Sequence, residues 1–91
     1  MDYLLDIPQF TDNKVLKCVY VRDNRKERVF VFKKENIWGT WQEVYYDNDY
    51  ETGWYGEDFD SHKYNSKETA IKELKGNYPW AKDQNTIIKE L

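Results

Sequence analysis

From Val15 to Tyr46 the chain passes through three stretches rich in β-branched and aromatic residues, separated by short polar breaks. This punctuation constrains the fold more than any other feature. Val15 to Arg22 reads as a strand and Asp23-Asn24 as a turn. Arg28 to Lys34 reads as a second strand centred on Val29-Phe30-Val31-Phe32, Glu35-Asn36 breaks it, and Ile37 to Tyr46 forms a third. The apolar run of the second strand is continuous, so both of its faces are expected to be partly covered. The third strand has two period-2 sets: Trp41, Glu43 and Tyr45 on one side, and Thr40, Gln42, Val44 and Tyr46 on the other. Gly39 within it marks a bulge or a close approach to the backbone. Asp47 to Gly53 reads as a polar turn, and Trp54-Tyr55 opens a fourth strand that extends towards Phe59, weakened by Gly56.

The ends of the chain read differently. Met1 to Asn13 suits an extended arm or short edge strand, with Leu4, Leu5, Ile7 and Phe10 apolar and Pro8 opposing a helix. Asn65-Ser66-Lys67-Glu68 is a helix start, with Asn65 as cap and Glu68 three residues on, and Ser66 as the alternative cap. Ala70, Ile71 and Leu74 share a face of that helix. Lys72 and Lys75 suit its last turn, Gly76 suits the position just past its end, and Pro79 opposes continuation. Beyond it, Trp80, Gln84, Ile87, Ile88 and Leu91 fit a helical stripe, whereas Thr86-Ile87-Ile88 fits a short returning strand. The strand or extended tail is the preferred reading. The expected fold is α+β: an antiparallel meander of about four strands with one C-terminal amphipathic helix packed on one face, and a possible extra terminal strand. Such a helix leaves the other face open to solvent or a partner.

With 91 residues the chain reads as a single domain, 1–91. A chain of that size buries about 60–65% of its unfolded surface. Aromatic residues, 18% of the total, must therefore supply much of the core. Cys18 is the lone cysteine, which excludes an intramolecular disulfide and any cysteine-pair zinc site. It fits buried packing and a reducing, cytoplasmic setting. The N-terminal apolar run is too short for a signal peptide, and nothing approaches a membrane span. Lys outnumbers Arg, and Asn and Tyr are frequent, as in products of AT-rich genomes.

A formal charge of −3 conceals a segregation. Residues 14–34 carry a net +6 and residues 43–60 a net −7. Val44 to Asp60 holds Asp47, Asp49, Glu51, Glu57, Asp58 and Asp60 together with Tyr45, Tyr46, Tyr50, Trp54, Tyr55 and Phe59, and neither Lys nor Arg. A solvated hairpin with its tyrosine hydroxyls in water is the plain explanation. The functional one is a dock for a basic protein surface: carboxylates accelerate encounter with cations. Aromatic rings add contact area and cation–π energy of about 0.5–2 kcal/mol each. The candidate partner-binding residues are Tyr46, Asp47, Asp49, Tyr50, Glu51, Trp54, Tyr55, Glu57 and Asp58. Spaced carboxylates of this kind could also mimic nucleic acid in the groove of a nucleic-acid-binding protein.

Asp47, Asp49, Glu51 and Asp58 echo a calcium-binding loop. However, Gly53 is displaced by one position, the last ligand is Asp rather than Glu, and the flanks read as strands, so no metal site is assigned. The basic segment offers direct nucleic-acid binding through Arg22, Arg25, Lys26 and Arg28 as an alternative, opposed by the acidic balance of the chain. A third alternative is self-association between the oppositely charged hairpins. Catalysis is not expected: Asp60-Ser61-His62 contains the residue types of a triad, but adjacency in sequence is the wrong geometry for a relay. No cofactor motif is present. In general character the chain resembles small proteins of phages and mobile elements, including anti-restriction and anti-CRISPR inhibitors with acidic surfaces. That resemblance implies an inhibitory binding protein and transfers no residue role, because no motif carries it.

Overall fold

A computed structural model of the chain describes residues 14–59 and 63–91, and at 57–59 the backbone alone. The expected N-terminal arm and the Asp60-Ser61-His62 run lie outside the described residues. Along the chain come β1 (Val15–Val21), β2 (Glu27–Lys34), β3 (Ile37–Asp47), β4 (Thr52–Phe59), α1 (Lys67–Asn77), a 3-10 turn (Pro79–Lys82) and β5 (Ile87–Glu90). Among the described residues the strands form one antiparallel sheet in the order β4-β3-β2-β1-β5. The expected meander is therefore present, and the terminal strand closes back beside β1. The helix precedes this last strand rather than ending the chain.

Short connections set the register. The polar Glu35-Asn36 pair joins β2 to β3, with Lys34 opposite Ile37 and Glu35 at φ 57°. The wider β1–β2 turn places Arg25 at φ 61° and is held by Asn24, whose Oδ1 accepts from the Lys26 amide. In both turns a left-handed residue reverses the chain without glycine, at the conformational cost this region imposes on ordinary residues.

Two aromatic rings replace side chains that the sheet lacks. Opposite Phe32 stands Gly39, where a Cβ would lie 2.5 Å from the phenyl ring. Across the next strand pair, a Cβ on Gly56 would lie 2.1 Å from the Trp41 indole. Gly39 thus marks a close approach to the backbone, with an aromatic ring laid across it.

The helix side of the sheet packs Cys18, Tyr20, Val29 and Val31 against Ala70 and Leu74 of α1 and against Trp80 and Ala81 of the 3-10 turn. Ser66, in extended conformation at φ −148°, caps α1 by accepting from the Thr69 amide at 3.2 Å. The cap is therefore Ser66 rather than Asn65, because the helix begins at Lys67. Gly76 lies inside the last turn, not past it, and Tyr78 closes the helix by donating its amide to the Leu74 carbonyl at 2.8 Å. Pro79 then opens the 3-10 turn, where its missing N–H costs nothing.

The opposite side was expected to be open, and it is not. Val19, Val21 and Phe30 are fully buried there, with Leu16, Trp41, Trp54 and Ile87 packed against them. Much of the aromatic content is thus spent on a second core, as the continuous apolar run of β2 requires. Cys18 is buried on the helix side, as expected. Among the described residues no helix is long and apolar enough to cross a membrane.

Candidate functional site

The acidic segment folds as the β3–β4 hairpin, and its tip is organised by Asn48. The Asn48 Oδ1 accepts from the amides of Tyr50 and Glu51, both at 2.8 Å, and the Asn48 amide donates to the Glu51 carbonyl at 3.0 Å. Asn48 is not among the candidate residues read from the sequence, although an asparagine entering a polar turn is the available signal. Gly53, at φ 127°, then leads into β4. A hairpin, not a helix–loop–helix, carries Asp47, Asp49, Glu51 and Asp58. Among the described residues no group of three metal-ligating side chains converges.

Strand alternation divides the candidate aromatics. Tyr45 pairs with Trp54 across the hairpin, and their rings meet edge to face at 5.3 Å. Both belong to the side that carries Trp41 and Glu43. Tyr46 and Tyr55 lie on the other side, with ring centroids 5.6 Å apart at 67°. On that side Tyr55 is 42% exposed, and Val44 and Tyr46 are half-buried. At the tip Tyr50 is 96% exposed, and Asp47, Asp49 and Glu51 are all exposed around it. The hairpin therefore groups Tyr46, Tyr50 and Tyr55 with three carboxylates. Glu57 and Asp58 follow on β4.

Trp54 is not one of this group. Its ring packs on the second core and stacks over the Arg28 guanidinium at 4.0 Å. Arg28 is 1% exposed, lies 4.8 Å from the Phe30 ring, and forms a buried ion pair with Glu43. Arg28 Nη2 reaches Glu43 Oε1 at 2.7 Å and Arg28 Nε reaches the same oxygen at 2.8 Å, while Trp41 Nε1 donates to Glu43 Oε2 at 3.2 Å. The register sets Arg28 directly opposite Glu43, so the pair is formed by sheet assembly itself. This removes Arg28 from any phosphate-binding set and Glu43 from the exposed acidic field. Sequence reasoning missed the pair because a lone Arg and a lone Glu fifteen residues apart carry no local signal.

The other basic candidates lie at the β1–β2 turn. Arg22 pairs with Glu27 at 3.1 Å, and Arg25 and Lys26 are exposed beside it. The Lys26 carbonyl accepts from the Tyr45 amide at 2.9 Å, so this basic turn adjoins the acidic hairpin at the same end of the sheet. An exposed pair such as Arg22–Glu27 contributes only about 0.2–1 kcal/mol. No protein-family model, no curated protein and no solved structure matches the chain, so these residues alone carry the functional reading.

Proposed function

We propose that this chain is a small non-catalytic binding protein that engages a basic protein surface through the β3–β4 hairpin. One observation carries the proposal: Tyr46, Tyr50 and Tyr55 stand with the exposed carboxylates of Asp47, Asp49 and Glu51 on a hairpin that has neither Lys nor Arg from Glu35 to Asp60. Tyrosine is a favoured anchor of protein interfaces, since it offers flat apolar area with a polar tip. Uncompensated carboxylates around it steer a cationic partner and set its orientation. Because these carboxylates are solvated, they supply an electric field rather than proton transfer, which requires a desolvated cleft. The basic groove of a nucleic-acid-binding protein is one surface of the right sign. There the hairpin would occupy the place of phosphates and act as an inhibitor.

The test is a binding panel of basic nucleic-acid-binding proteins and size-matched acidic proteins, measured by surface-based kinetics at low and high salt. At least one basic member is expected to bind, with association slowing as salt rises. Asp47→Asn combined with Asp49→Asn should slow that association roughly tenfold, whereas Tyr55→Ala should mainly speed dissociation. Equal binding of basic and acidic proteins, or unchanged kinetics in both variants, removes the proposal.

A further inference from the structure

Carboxylates attract any cation, whereas an aromatic ring distinguishes one kind of cation from another. Strand alternation gives the β3–β4 hairpin one aromatic pair on each side of the sheet. On the side that carries Trp41, Tyr45 and Trp54 meet edge to face at 5.3 Å and 66°. There the chain supplies its own cation: the Arg28 guanidinium lies 4.0 Å from the Trp54 ring and pairs with Glu43 at 2.7 Å. On the opposite side Tyr46 and Tyr55 repeat the geometry at 5.6 Å and 67°. This second pair lies nearer to solvent, with Tyr46 half-buried and the Tyr55 ring exposed. Gly53 stands opposite Tyr46 in the register, so no side chain from that position crowds the pair.

The two basic side chains already differ in how they meet rings within this molecule. The Arg28 guanidinium lies 4.0 Å from Trp54 and 4.8 Å from Phe30. The ammonium groups of Lys14 and Lys33 stay 5.5 Å from Phe32 and Trp38. A guanidinium is flat and weakly hydrated, so it lies face-on against a ring at small desolvation cost. An ammonium is compact and holds its water. Both gain from the ring quadrupole, but the guanidinium adds stacking contact.

Charge complementarity sets the sign of the occupant. Asp47, Asp49 and Glu51 are exposed at the tip, which the Asn48 hydrogen bonds hold in one shape. No Lys or Arg occurs from Glu35 to Asp60, and in the sheet order β3 stands between β4 and the basic β1–β2 turn. We infer that this face selects arginine over lysine on the basic partner, with a guanidinium stacked on the Tyr55 ring within the field of the tip carboxylates. This rests on the basic-partner reading above and specifies the side chain that is read: the acids bring the cation in, and Tyr55 decides which cation stays.

The probes are two blocked peptides of equal length and charge, one alternating Arg with Thr and the other Lys with Thr. Each is titrated at low salt against the full chain and followed by NMR. The arginine peptide is expected to bind about fivefold more tightly than the lysine peptide and to shift the ring protons of Tyr55. Tyr55→Phe should keep this preference, because the ring remains. Tyr55→Ala should bring the two affinities together, with the backbone spectrum showing that the hairpin stays folded. Equal affinity of the two peptides for the unaltered chain, or a preference that survives Tyr55→Ala, overturns arginine selection and leaves the basic-partner reading intact. Failure of both peptides to bind, when basic proteins of the panel do bind, also overturns arginine selection alone. Failure of peptides and panel overturns the two together.

Discussion

Arg28 shows how much a single residue can depend on its neighbours. Taken alone it is a cation in a basic stretch and a natural candidate for phosphate. In the folded chain its guanidinium lies between Glu43, Phe30 and Trp54 and is closed to solvent. Removing one member of a buried pair leaves the other charge without compensation and costs about 3–5 kcal/mol. Arg28→Met is therefore expected to lose stability of that order in urea denaturation. Adding Glu43→Gln, which retains an acceptor for the Trp41 indole, should recover at least about 1 kcal/mol. A loss below about 1 kcal/mol for Arg28→Met would show the pair to be hydrated and weak. The neighbouring Trp54 follows the same logic. It reads in the sequence as an anchor for a partner, yet the cation it stacks on belongs to its own chain.

At the scale of elements, α1 is short and held by its ends. Its buried residues are Ala70 and Leu74, and a helix this short is marginal without tertiary packing. Ser66→Ala removes the acceptor for the Thr69 amide and should cost about 1 kcal/mol. Gly76→Ala should act in the opposite sense. The site is inside the helix, a Cβ there meets nothing within 4 Å, and the helix-interior penalty of glycine is removed. A gain of about 0.5–1 kcal/mol is expected. Thermal denaturation of the two variants checks both signs. The helix start was legible because Asn65-Ser66 stands beside a good helix-forming run. Its end was misplaced because Tyr78 closes the helix through a backbone bond, and no residue type announces that bond.

For the whole molecule, one region links β1, α1 and β5 through groups that resist ionisation or hold a proton. Burial, followed by the nearby Glu90 carboxylate, pushes the Cys18 thiol up from 9.0 to about 11. Burial also raises the Tyr20 hydroxyl, and the hydrogen bond to Glu90 raises Lys67. A group whose folded pKa is raised contributes stability below its unfolded value and loses it as pH rises through the folded one. All three shifts have the same sign, so stability should fall as pH rises, and the Cys18 part of that fall lies between about 9 and 11. Denaturation midpoints measured from pH 8 to 11 should decline, and Cys18→Ala should flatten the decline. A midpoint independent of pH over that range would contradict the coupling.

At this scale the reach of local patterning is also plain. Strand positions, the polar breaks and the returning strand at Thr86-Ile87-Ile88 were legible, because period-2 patterning and turn residues act over a few neighbours. The alternation within β3 and β4 was legible too, including the fact that Trp54 and Tyr55 must point to opposite sides. Which of those sides becomes core was decided only by tertiary structure. β2 brings Arg28 and Phe30 beneath the hairpin, Glu43 meets Arg28 across the sheet, and Trp54 is drawn inward over the pair. Tyr55 is thereby turned outward beside Tyr46 and the carboxylates of the tip. The candidate surface exists because long-range strand pairing satisfied one buried charge, and no local pattern encodes that event.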